Sequence, residues 1–163
     1  MNEDPSEPVL IVGPLRVRVR RRQFPDAQDY WDGNWVDVVA VCTTPGATVT
    51  AEGPIVHLGE VRGFLSECEA LQQELQGKAT LDCVEPNLRV RMELDKLGHI
   101  SVRIEITPDH MTERHRFDDM IDQTYLPAII NGCRRLLDTY PLRDPNQAAS
   151  NNRMQTDGPS VGR

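Results

Sequence analysis

The chain has 163 residues, 39% hydrophobic and 26% charged, with a formal net charge of −7. These values fit one soluble folded domain and exclude a fully disordered or collagen-like chain. No stretch approaches 18 uncharged apolar residues, and the opening MNEDPSEPVL lacks the basic and apolar regions of a secretory signal, so the expectation is a cytoplasmic protein with no membrane span.

Residues 1–8 are polar, acidic and Pro-containing, and read as a flexible start; residues 9–142 form the single expected domain. Leu15, Val17 and Val19 alternate with Arg16, Arg18 and Arg20, the pattern of a half-buried strand with an arginine face. Trp35 to Thr43 is a β-branched run suited to a more buried strand. Pro45-Gly46 marks a turn, after which Ala47 to Ala51 returns as a short strand. From Glu60 the period changes: Val61, Phe64, Leu65, Cys68, Leu71 and Leu75 form one apolar stripe, predicting a helix that Gly77 stops. Lys78 to Val84 reads as a strand.

Asn87 to Ile106 predicts an antiparallel hairpin. Leu88, Val90, Met92 and Leu94 alternate with polar residues, as do Ile100, Val102, Ile104 and Ile106. Pairing Asp95 with His99 sets Leu94 against Ile100 and Met92 against Val102, with every apolar residue on one face. A one-residue slip sets Leu94 against His99 and throws the two apolar rows onto opposite faces. The connection is then Lys96-Leu97-Gly98, with Gly98 at the positive-φ position.

Met111 to Asp118 is the last expected strand. Asp122-Gln123-Thr124 opens a second helix with its N-cap near Thr124, Pro127 in its first turn and Pro141 at its end. Residues 143–163 carry almost no large apolar side chains and read as a disordered tail. That tail resembles the translated recombination-site tails of proteins from mobile gene cassettes. The order predicts an α+β fold: an antiparallel sheet of about six strands with two helices packed on one face and no internal repeat.

Charge is unevenly distributed. Arg16, Arg18, Arg20, Arg21 and Arg22 gather early, whereas residues 23–141 hold 20 acidic and 10 basic side chains, a balance of −10. An acidic domain disfavours nucleic acid or an anionic membrane as main ligand and suits a basic protein partner.

Chemistry-bearing motifs are sparse. Cys42, Cys68, Cys83 and Cys133 form no C-x-x-C and read as reduced core residues. His57, His99, His110 and His115 lack metal-ligand spacing, and neither G-x-S-x-G nor a Gly-rich phosphate loop occurs, so no cofactor and no enzymatic activity are expected. Asp118-Asp119, with Asp122 close by, offers either an acid/base pair or a solvated approach whose charge favours a helix N-terminus. The most unusual segment runs from Phe24 to Trp35, FPDAQDYWDGNW, and holds four of the eight aromatic residues. It is either a recognition surface or a structural corner in which Trp35 enters the core.

The segment FPDAQDYWDGNWVDV resembles the opening signature of the WapI-type immunity proteins, and DQTYLP at Asp122 to Pro127 resembles a later piece of the same family. The likeness runs from about Leu15 to Leu142. It implies a small cytoplasmic protein that neutralises a contact-dependent bacterial toxin nuclease. The implied partner is a cognate basic toxin domain. Tyr30 and Trp31 are then expected aromatic anchors, and Asp118, Asp119 and Asp122 expected charged contacts. Two other classes stay open: a small-molecule-binding module with Trp31 or Trp35 at its mouth, and an enzyme using Asp118, Asp119, Asp122 or His99.

Overall fold

The computed structural model describes residues 7–144. The first six residues of the expected flexible start, and residues 145–163 of the expected tail, lie outside the described residues.

Eight strands and two helices follow one another as β1 (Val9–Val12), β2 (Leu15–Arg22), β3 (Trp35–Thr44), β4 (Ala47–His57), α1 (Leu58–Glu74), β5 (Gly77–Asp82), β6 (Leu88–Leu94), β7 (His99–Ile106), β8 (His115–Asp122) and α2 (Leu126–Thr139). The strands form two antiparallel sheets, each a simple meander: β1-β2-β3-β4 and β5-β6-β7-β8. The α+β class is as expected, but the single six-stranded sheet is not. The physical reason is coverage. Eight strands present more inward apolar side chains than two short helices can cover, and a second sheet supplies the missing surface. Val17, Val38 and Ala40 of the first sheet, and Val90, Ile104 and Ile106 of the second, lie with Phe64 of α1 and Cys133 of α2 in one continuous core. Nor do the helices share one sheet face: they pack on each other, α1 against β5 and α2 against β1.

The unit ββββα therefore occurs twice. The sequence carries no matching repeat, so the duplication exists only in topology.

The β6–β7 hairpin has the expected register, Leu94 opposite Ile100 and Met92 opposite Val102, and Gly98 takes φ +85° in its loop. Its side chains alternate between core and solvent, because shifting the pairing by one residue buries the charged set. Elsewhere boundaries move. β4 runs on through Gly53 and Pro54 to His57, which an edge strand tolerates because its outer N–H groups need no partner. Helix α1 ends at Leu75, in a left-handed conformation with φ 55°, and Gly77 opens the next strand. The last strand begins at His115 rather than Met111. Asp109 folds residues 111–113 into a turn by accepting from the Met111 N–H and the Thr112 hydroxyl, each at 2.9 Å. Pro127 lies in the first turn of α2 as expected, and the helix N-cap is Tyr125, next to Thr124; a short 3-10 turn capped by Asp122 precedes it.

Candidate functional site

The Phe24–Trp35 segment is a corner built around a buried histidine. β3 starts at Trp35, which is 7% exposed, and its first residues pair with the end of β4, Trp35 opposite His57. His57 is the N-cap of α1. Its Nδ1 accepts from the Gly59 N–H at 3.1 Å, which leaves Nε2 as the protonated nitrogen, 3.2 Å from the carbonyls of both Tyr30 and Trp31. Three aromatic rings surround the imidazole: Trp31 stacked at 5.4 Å between centroids, Tyr30 tilted at 5.2 Å and Trp35 edge-on at 5.2 Å. The corner is so close that a side chain at Gly59 would place its first carbon 2.3 Å from the Tyr30 hydroxyl.

Glu60 completes a capping box and adds a third element. One carboxylate oxygen accepts from the His57 N–H and the other from the Val84 N–H, each at 2.9 Å. The β5–β6 loop is thereby held beside the corner. Cys83 lies buried next to this bridge, its thiol pushed well up by burial first and by Glu60 second. Burial raises Cys42 to about 11 and Cys133 to about 12, so these thiols are poor nucleophiles.

Arginines secure the far side of the loop. Arg22 donates to the Gly33 carbonyl at 2.6 Å and to the Pro141 carbonyl, and its guanidinium stands 6.0 Å from the Tyr140 ring centre. Arg143 donates to the Phe24 and Ala27 carbonyls. Burial, and then the charge of Arg143, lower the pKa of Arg22. Composition puts Arg143 at the head of the expected tail, whereas the structure makes it part of the corner.

Between the loop and the β5–β6 connection runs an open groove lined by the apolar Phe24, Trp31, Trp35, Pro54, Ile55 and Val84 and by the polar Gln23, Asp32 and Glu85. Phe24 is 45% exposed, Trp31 55% and Val84 65%, so three large apolar side chains meet solvent along one groove. Scattered apolar residues are ordinary on a surface, but a contiguous group marks an interaction site.

The expected acidic contacts stand elsewhere. Asp118 and Asp119 are neighbours on β8 and point to opposite faces, Asp118 aligned with Arg103 and Asp119 with Val102, so they form no carboxylate pair. Asp118 is bound by Arg103 at 2.9 Å and Arg116 at 2.8 Å, and Arg116 foremost holds its carboxyl below the usual range. Asp122 accepts from the Thr124 N–H at 2.8 Å, which lowers its pKa and starts the turn before α2. A side chain at Gly13, at the β1–β2 turn, would meet the Asp119 carboxylate at 3.0 Å. That turn lies at the end of β2 opposite Arg22 and the corner. Asp119 is therefore separated from the aromatic pair by about the length of β2, roughly 25 Å at about 3.3 Å per residue. Tyr30 and Trp31 stand together at the corner; the three aspartates do not join them.

Sequence reasoning missed His57, Glu60, Asn34 and Val84. His57 and Glu60 left a faint signal, a capping side chain followed three residues later by glutamate before an apolar stripe. Among the described residues no group of three or more His, Cys, Asp or Glu side chains is placed to hold a metal, and no helix is long and apolar enough to cross a membrane.

Fold and site together define a two-sheet α+β domain that carries an exposed aromatic groove on a rigid corner. The WapI-like immunity protein family matches residues 11–141, and the chain belongs to that family. No curated protein matches the chain in sequence. Among solved structures it is similar to the crystal structure of WHY1 from Arabidopsis thaliana, at 8% identity and TM-score 0.44 over 96% of each chain. It is also similar to the structure of the plant transcriptional regulator PBF-2, at 8% identity and TM-score 0.46 over 94% of this chain and 89% of that one.

Proposed function

We propose that this protein neutralises a contact-dependent bacterial toxin, a nuclease, by binding it directly. Membership of the immunity family carries this reading. The balance of −10 across residues 23–141 supports it, because a nuclease handles a polyanion and presents a basic surface that an acidic domain attracts. The corner supplies the contact, with Trp31 as the anchor and Tyr30 beside it. The preorganised loop lets Trp31 bind at small conformational cost.

The test is co-expression with the toxin domain encoded by the neighbouring gene, followed by pull-down and a growth assay. The unmodified protein is expected to bind and protect. Trp31→Ala, checked for a native melting curve, is expected to dissociate faster and lose about 2 kcal/mol or more of binding, as a buried aromatic anchor does. An unmodified protein that neither binds nor protects against the adjacent toxin overturns the proposal.

A further inference from the structure

We infer that the Trp31 groove receives an arginine side chain of the protein partner; this rests on the proposed toxin-binding reading and names the chemistry of the contact. Three observations converge. The groove walls are apolar and aromatic, with Phe24, Trp31 and Pro54 exposing flat surface to solvent. The two charged residues that line it, Asp32 and Glu85, are both acidic, and no lysine or arginine lines it. Several other acidic side chains on the domain are already engaged: Glu52 by Arg20, Asp82 by Arg89, Asp118 by Arg103 and Arg116, Glu69 by Arg134. The Asp32 and Glu85 carboxylates make no hydrogen bond or ion pair among the described residues; only the Asp32 backbone N–H is used, donating to Asp29.

A largely apolar groove whose only charged lining residues are acidic suits a side chain that is apolar along its stem and cationic at its tip. Arginine fits better than lysine. Its guanidinium is planar, weakly hydrated, stacks on an indole face and forks onto carboxylates, whereas an ammonium holds its water. The stem covers Phe24, Pro54 and Val84, and the fork reaches Asp32 and Glu85. The Glu60 bridge fixes the backbone beside both residues, since it ties Val84, next to Glu85, to His57, whose ring meets the carbonyl of Trp31, next to Asp32.

The experiment has two arms. In the first, the isotope-labelled full chain is titrated with argininamide, lysinamide and citrullinamide, and the indole N–H signals of Trp31 and Trp35 are followed. Argininamide is expected to move the Trp31 signal saturably, in the millimolar range, while citrullinamide, which has the same α-amine but an uncharged side chain, leaves it in place. The double variant Asp32→Asn/Glu85→Gln, with an unchanged melting curve, is expected to lose the response at least tenfold. An equal response to citrullinamide, or an unaltered response in the double variant, overturns the inference. A response to lysinamide as strong as to argininamide overturns the guanidinium assignment. In the second arm the double variant is measured against the adjacent toxin domain and is expected to bind at least tenfold more weakly. If the unmodified protein binds the toxin and the double variant binds equally well, the arginine inference fails while the immunity reading stands. If the unmodified protein does not bind the toxin, the immunity reading fails, and the inference falls with it as a statement about that partner.

Discussion

The side-chain amide of Asn34 pairs with the backbone of Arg143 in both directions: its Oδ1 accepts from the Arg143 N–H and its Nδ2 donates to the Arg143 carbonyl, each at 2.8 Å. Nδ2 also donates to the Tyr30 carbonyl at 2.6 Å, and the side chain is fully buried. One asparagine thus stands in for a strand, joining the loop that carries Trp31 to the chain just beyond α2.

Asn34→Ala leaves the part-buried Arg143 N–H and carbonyl without partners and the Tyr30 carbonyl with His57 alone, and each lost bond costs about 1–3 kcal/mol when nothing replaces it. The expected loss is about 2–4 kcal/mol by chemical denaturation. A chain ending at Leu142 is expected to be less stable than one ending at Asp144, because only the longer chain supplies Arg143. Equal midpoints for those two chains would show that the pairing contributes nothing.

The inner face of the β6–β7 hairpin makes a second prediction. Val90 and Ile104 face each other across the hairpin and both are fully buried. Ile104→Ala is expected to lower stability by about 2–5 kcal/mol through transfer and cavity terms. Arg103→Ala, one residue away on the solvent face, is expected to change it by much less. Similar costs for the two would contradict the pairing register.

A third prediction concerns the outer face of the second sheet. Across it, Thr80, Arg91, Arg103 and Asp118 stand in one row, so two arginines are direct neighbours while the acid sits at the far end and is shared with Arg116. Like charges directly opposite each other destabilise a sheet, and opposite charges stabilise it by roughly 0.2–1 kcal/mol. Arg91→Glu is therefore expected to raise the denaturation midpoint at low salt, with the gain shrinking in 1 M salt as screening tightens to about 3 Å. A lower midpoint would mean that Arg91 has a role in the free protein beyond its charge.

Acid sensitivity follows from Asp95. Its carboxylate accepts from the His99 N–H at 2.9 Å and the Leu97 N–H at 2.8 Å, closing the β6–β7 loop, and the His99 bond foremost holds its pKa below the usual 3.8. A carboxyl depressed on folding contributes stability above its unfolded pKa and loses it as pH falls through the lower, folded value. Asp95→Asn is expected to be less stable than the unmodified protein at pH 7 and to converge with it as pH drops below about 4. Parallel pH profiles for the two proteins would exclude this linkage.

Elements with a strict period were legible in the sequence, because burial allows them one arrangement. The β6–β7 register and the position of Pro127 in α2 are of this kind. β1 was missed: its four residues, VLIV, are apolar without alternation and too few to signal a period. β8 was displaced because its inward row is Phe117, Asp119 and Ile121, and a polar residue in the middle breaks the pattern. The division into two sheets is a matter of long-range pairing, on which local periodicity is silent. At the site, the aromatic density of residues 24–35 pointed to the corner. The contribution of His57, Glu60 and Val84 did not show, since their proximity depends on β4 and the β5–β6 loop meeting in space.

The exchange of helices between the two ββββα units has a consequence for synthesis. The second unit's helix lies against β1, the earliest of the eight described strands in chain order, with Gly132 so close that a side chain there would touch the Val9 carbonyl at 3.4 Å. Until α2 has been translated, the β1 margin of a completed first sheet stays uncovered, an open strand edge of the kind that recruits other chains. Nascent chains that still lack α2 are therefore expected to be the aggregation-prone species of this protein.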